Sequence, residues 1–150
     1  MMKIINKRAF YNYEILKSLE TGIYLNGAEV KSIKGGRMSL EGSYVKIIGS
    51  EVYLVNAEIY AYPYARPEGY EARRTRKLLL HKKEILSLKT KMKSEKLTIV
   101  PLECYNSHGW VKMKIGLAKG KKQHDKRATI KEREWNRQKS RVLRENNLKS

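Results

Sequence analysis

A chain of 150 residues with 33 Lys and Arg against 15 Asp and Glu carries a formal charge of +18, a balance that calls for a polyanionic partner, of which nucleic acid is the commonest. The 41% hydrophobic content suffices for one core and excludes wholesale disorder, while no apolar run approaches the ~20 residues of a membrane-spanning helix. Residues 1–6 are interrupted by Lys7-Arg8 too soon for a secretory signal, and a lone Cys104 cannot form an internal disulfide; both point to the cytoplasm, with Cys104 a small buried apolar side chain.

In chain order, Asn6 is placed to cap a helical turn in which Phe10 and Tyr13 share a face, lidding one end of the core. Residues 13–25 suit a strand, strongest at Gly22-Ile23-Tyr24-Leu25. Asn26 followed three places on by Glu29 is a reciprocal cap signature, and Gly35-Gly36 supplies the stop, so a short helix lies between with Val30 and Ile33 turned inward. Residues 43–48 and 51–60 flank Gly49-Ser50 as a hairpin with a two-residue turn. Pro63, Pro67 and Gly69 then break the pattern, and a surface loop delivers the cationic cluster Arg73, Arg74, Arg76 and Lys77.

Residues 82–93 place Ile85, Leu88 and Met92 at helical spacing with lysines opposite. Two strands close the body. The first spans residues 96–105, where Pro101 predicts an edge or a bulge; the second spans 110–117, where Val111, Met113, Ile115 and Leu117 alternate with outward Lys112 and Lys114. Many short strands and two brief helices leave no room for the long crossovers of a parallel sheet. The expected fold is mainly β with short helices, an OB-like closed barrel over residues 1–118, of a kind that often binds nucleic acid on one face.

Residues 119–150 differ from the body. Twelve Lys or Arg stand against four Asp or Glu, with large apolar residues only at Ile130, Trp135, Val142, Leu143 and Leu148. That is too little apolar surface to offset the entropy of ordering, so a basic tail, disordered alone, is expected to take shape against a large anion. It has no wide apolar face, which argues against a membrane surface.

No catalytic constellation stands out. His81, His108 and His124 lack Cys, Asp or Glu partners at ligand spacing, so no metal is expected; Gly35-Gly36 lacks the Lys-Ser or Lys-Thr of a phosphate loop, and no nucleophile elbow is visible. Binding without catalysis and without a cofactor is the expectation. Ten tyrosines and two tryptophans interleaved with basic residues supply stacking as well as phosphate contacts, with RNA preferred to DNA because no helix-turn-helix or zinc finger appears.

Tyr13-Glu14-Ile15-Leu16, Leu19-Glu20-Thr21-Gly22-Ile23, Gly27-Ala28-Glu29-Val30-Lys31-Ser32, Ser43-Tyr44-Val45, Arg74-Thr75-Arg76-Lys77-Leu78-Leu79-Leu80 and the basic string from Lys119 to Trp135 together closely resemble the SmpB family, the bacterial SsrA-binding proteins. The resemblance implies an OB-like barrel that binds the tRNA-like domain of transfer-messenger RNA and, with elongation factor Tu, takes it to ribosomes stalled without a codon in the decoding site. It places RNA contacts at Glu20, Leu79 and His81, the last a departure from the family's frequent Asn, and the Arg74, Arg76 and Lys77 cluster is grouped with them. From physics alone Glu20 reads as a surface partner for a nearby lysine; the resemblance makes it a reader of donor groups on unpaired bases. It also sends Lys119, Gly120, Lys121, Lys122, His124, Asp125, Lys126 and Arg127 to the decoding centre, with Asp125 capping a helix that Ile130 and Trp135 anchor in the messenger channel. A structural ribosomal protein, or a general RNA-binding OB-fold protein, is the alternative.

Overall fold

In a computed structural model of the chain, the described residues are 2–61, 68–121, 131, 133–135 and 137. Contacts group them into two units, Met1–Lys119 and Gly120–Ser150. No helix among the described residues is long and apolar enough to cross a membrane.

The first unit is built on β1 (Lys3–Ile5), α1 (Lys7–Asn12), β2 (Tyr13–Ile23), α2 (Gly27–Lys34), β3 (Met38–Ser39), β4 (Tyr44–Ile48), β5 (Glu51–Val55), β6 (Glu58–Ile59), β7 (Arg76–Leu79), α3 (Lys82–Glu95), β8 (Thr98–Ser107) and β9 (Trp110–Gly120). The seven-stranded sheet runs β1-β8-β9-β2-β7-β5-β4, and β3 and β6 form a separate pair. The registered pairings are antiparallel, as short connections require.

The local signals act through hydrogen bonds. Asn6 accepts from the Ala9 amide at 3.3 Å and donates its side-chain amide to the Pro101 carbonyl at 2.8 Å, so one residue starts α1 and ties it to β8. At α2 the box is reciprocal: Asn26 accepts from the Glu29 amide at 2.9 Å and Glu29 accepts from the Asn26 amide at 3.1 Å. Gly49-Ser50 joins β4 to β5 with Ile48 opposite Glu51, and Gly49 takes the left-handed φ of +62° that this tight turn favours in glycine.

Most of the core lies inside the curved sheet, where Ile33 of α2 and Ile85 and Leu88 of α3 meet Val52, Leu54, Leu78, Ile99, Met113 and Ile115. A smaller cluster on the other side packs Ala9, Phe10, Tyr13 and Ile15 against Val100, Leu102 and Ala118. Cys104 is fully buried and its thiol is pushed up to about 12 by that burial, which leaves it protonated and inert.

Three expectations change. The sheet is mainly β with short helices but does not close into a barrel: β4 lies against β8, yet the hydrogen-bonded order ends at β1 and β4. Closure needs a complete ladder across the seam, and β1 supplies three residues. The strand expected over 51–60 stops at Val55, because Asn56 turns into the left-handed region at φ 64°, which Asn tolerates better than most residues; the chain resumes as β6 against β3. The cationic segment expected as loop becomes strand from Arg76 onward. The irregularity expected near Pro101 is a register shift between Pro101 and Glu103.

Candidate RNA interface

Four residues of β7 determine which side chains face outward. Their side chains alternate, so Arg76 and Leu78 are buried while Lys77 and Leu79 are exposed. Arg76 is 0% exposed and Glu29 1% exposed. Arg76 Nε donates to Glu29 Oε2 at 2.6 Å, and its other nitrogens donate to the carbonyls of Ala57 at 2.8 Å and Ala72 at 3.0 Å. Arg74 Nη2 donates to Glu29 Oε1 at 2.6 Å. Burial pushes the Glu29 carboxyl up, but hydrogen bonds from Arg74, the Asn26 amide and Arg76, with the Arg76 charge, outweigh it and hold the carboxyl below its ordinary value. Arg76 therefore leaves the set of direct RNA contacts: its guanidinium is used internally, tying β7 to α2 and to the segments carrying Ala57 and Ala72. Arg74 is shared, with its side chain 38% exposed.

The outward side of β7 faces a cleft of about 490 Å³ whose walls include Glu20, Lys77, Leu79, His81 and Lys112. Glu20 comes from β2, Lys77 and Leu79 from β7, Lys112 from β9, and His81 caps α3. The β2–β7 register puts Gly22 opposite Leu79, and a Cβ on Gly22 would come within 3.2 Å of the Leu79 Cβ. Glycine is what lets Leu79 lie against β2 at the cleft floor, half exposed. His81 is exposed, and its backbone N–H donates to Glu84 Oε1 at 3.1 Å, which fixes the start of α3 and leaves the imidazole at the cleft edge.

Charge in the cleft is mixed. Lys77 Nζ donates to Glu51 Oε1 at 2.9 Å, and that hydrogen bond, with the Glu51 charge, raises the Lys77 ammonium above its usual value. The Glu20 carboxylate accepts from the Tyr105 hydroxyl; burial first, and that bond second, raise the phenol. Glu20 thus has a tyrosine, rather than the expected lysine, as its hydrogen-bond partner. A carboxylate held this way is acceptor-only, suited to the amino and imino groups of a base.

The residues expected in the tail separate. Lys119 and Gly120 end β9, and Lys119 Nζ meets Glu14 Oε2 at 3.5 Å, so the strand continues past the boundary expected at 118. Lys121 is half-buried, and Trp135 is helical and 57% exposed. Lys122, His124, Asp125, Lys126, Arg127 and Ile130 lie outside the described residues. Sequence reasoning missed Lys112 as a member of the cleft and Tyr105 as the hydrogen-bond partner of Glu20. Their signal was the outward phase of two strands, since Tyr105 pairs with Lys112 in the β8–β9 register.

Comparison with known proteins gives one answer. The family model described as SmpB protein matches residues 3–145. The SsrA-binding protein of Mycoplasma mycoides subsp. mycoides SC is 47% identical over 133 residues, covering 88% of this chain and 90% of the relative. That of Allorhizobium ampelinum is 48% identical over 140 residues, covering 93% and 89%. A solved structure described as "tmRNA-SmpB: a journey to the center of the bacterial ribosome" superposes with a TM-score of 0.68 at 41% identity, covering 82% of this chain and 87% of that one. With the matched family spanning nearly every described element, the chain belongs to the SmpB family of SsrA-binding proteins.

Proposed function

We propose that this protein binds the tRNA-like domain of transfer-messenger RNA and delivers it, in company with elongation factor Tu, to stalled ribosomes for trans-translation. The observation that carries the site is convergence: Glu20, the stretch holding Lys77, Leu79 and His81, and Lys112 come from three distant parts of the sequence and line one cleft. Lysines hold phosphates, which position an RNA, and Glu20 and His81 meet base edges, which identify it. Arg74 reaches the RNA with the part of its guanidinium that Glu29 leaves exposed. The protein acts by binding, as a cytoplasmic adaptor and not as an enzyme.

The basic segment from Lys121 onward has the second task. On a ribosome without a codon it enters the empty decoding site and messenger channel, where ribosomal RNA phosphates offset the cost of ordering it. Lys121, Lys122, His124, Asp125, Lys126 and Arg127 occupy the decoding centre, and Ile130 and Trp135 anchor a helix beyond it. Helical backbone at Lys131, Arg133, Glu134, Trp135 and Arg137 supports that helix. Lys119 and Gly120 end β9, and the basic segment follows them in sequence.

A gel shift with transfer-messenger RNA against an ordinary transfer RNA of equal length tests the first task; equal affinity for both would instead favour a general RNA-binding or structural ribosomal protein. Removing residues 121–150, which keeps β9 whole, tests the second: RNA affinity persists and peptide tagging on stalled ribosomes is lost. Equal loss of both would refute the division.

A further inference from the structure

Beside the cleft already described lies a second hollow of about 360 Å³, whose lining includes Tyr24 and Trp110. The two hollows share Gly22, Leu79 and Lys112, so they are parts of one groove across β7, β2 and β9. Its far end is unusually apolar for an exposed surface. Trp110 is 73% exposed, Tyr24 66% and Leu79 50%. Single exposed apolar residues need no explanation, but three large ones around one hollow mark a place where something docks.

The backbone holds this end rigidly. His108 and Gly109 join β8 to β9 with φ of 50° and 84°, both left-handed as a tight two-residue hairpin turn requires, and Ser107 pairs with Trp110 across it. Trp110 is therefore fixed at the first position of β9. On the other wall the Tyr24 amide donates to the Lys77 carbonyl at 2.9 Å, extending the β2–β7 ladder by one bond. An aromatic whose backbone is already ordered loses little entropy when a flat ring stacks on it.

We infer that Trp110 and Tyr24 form a stacking platform for one unpaired base of the bound RNA, next to the bases read by Glu20 and His81. This rests on the proposed function, because RNA in the main cleft is what brings a base to the platform. A base fits better than an apolar peptide segment, since Lys112 borders the apolar surface and Lys77 lies farther along the same groove, where a nucleotide's phosphates would lie. Stacking would add affinity with little dependence on base identity, because every base has a π-face.

The experiment titrates the full chain with the isolated tRNA-like domain of transfer-messenger RNA and follows tryptophan emission and affinity together. The chain has two tryptophans, so the Trp110→Phe variant identifies which part of the emission change belongs to Trp110. Expected are quenching at one-to-one stoichiometry that is largely absent in Trp110→Phe, affinity kept within a few-fold in that variant, and about 5- to 100-fold loss in Trp110→Ala. Tyr24→Ala should lose affinity in the same direction, and circular dichroism verifies folding of each variant. Full affinity in folded Trp110→Ala, with Glu20 and His81 variants impaired, overturns the platform and leaves the RNA reading standing. Failure of the unmodified chain to bind the RNA overturns both. An emission change from Trp110 with ribosomes and none with RNA overturns the platform in favour of a ribosomal contact.

Discussion

Replacing Glu29 by Gln removes one charge from a site of almost no exposure and leaves Arg76, 0% exposed, without its counter-ion. Gln keeps the volume and an acceptor oxygen, so the loss is electrostatic. Breaking one side of a buried ion pair costs about 3–5 kcal/mol, mostly because the surviving charge is stranded. Two carbonyls still accept from Arg76, which places the expectation at the lower end of that range. Against a typical stability of ~5–15 kcal/mol, the melting temperature should fall by roughly 10–20 °C for a unit of this size. The pH dependence follows from the depressed carboxyl of Glu29. The unfolded chain takes up the proton first, so the stabilisation is complete above about pH 4.3 and is lost as pH falls through the lower folded value. Glu29→Gln should therefore lack part of the acid-limb slope. Urea melts at pH 7 and pH 4, with RNA affinity measured on the folded fraction, test this. A loss under about 1 kcal/mol, or a normal acid limb, would refute the buried pair; normal stability with lost RNA affinity would return Arg76 to the RNA.

Lys77→Ala, one residue along the same strand, should show the opposite pattern: unchanged melting, weaker RNA binding, and a log-log salt slope reduced by about 1. Titrating affinity against salt measures it, and an unchanged slope would remove Lys77 from the phosphate contacts. Gly116→Ala places a Cβ 2.9 Å from Leu102 Cδ1 and 3.1 Å from Ile15 Cγ2, and overpacking of that kind costs about 1–3 kcal/mol. Urea denaturation should show the loss while the folded protein keeps its RNA affinity; a neutral result would mean that Leu102 and Ile15 repack freely.

What was legible in the sequence was what neighbours in the chain decide. The Asn26–Glu29 cap, the Gly49-Ser50 turn, the inward stripe of α3 and the alternation of β9 are local, and each formed as its residues dictated. Long-range partnership was not legible. Glu29 reads as a capping residue and Arg76 as one cation among several, and nothing nearby in sequence announces that they meet across 47 positions. The phase of β7 was hidden as well, because Leu78-Leu79-Leu80 is apolar throughout and shows no period of two. Closure failed as an expectation for a similar reason: strand count is readable from turn signals, whereas hydrogen bonding across a seam depends on β1, whose three residues lie where the sequence offered only a chain terminus. The cleft residues Glu20, Leu79 and His81 came from the family resemblance, and composition alone would have ranked exposed lysines above all three.

An exposed acidic side chain on the proposed RNA-binding face of a chain of charge +18 works against attraction to phosphates, and the physical resolution predicts a split between affinity and selectivity. Phosphates dominate affinity and are the same in every RNA. A carboxylate repels them all equally, but it accepts strongly from amino and imino groups that only unpaired, correctly placed bases present. With Tyr105 holding one side of Glu20, the other side keeps a fixed direction toward such a base. Glu20→Gln preserves shape and an acceptor oxygen while removing the repulsion. Non-specific RNA should then bind slightly better and transfer-messenger RNA about 5- to 30-fold worse, the scale of one charge-assisted hydrogen bond of ~1–2 kcal/mol. Competition between labelled transfer-messenger RNA and bulk transfer RNA measures both quantities in one titration. If both affinities rise together, Glu20 reads no base and serves only to limit indiscriminate attraction; if both fall together, its role is to hold Tyr105 and the sheet surface around it.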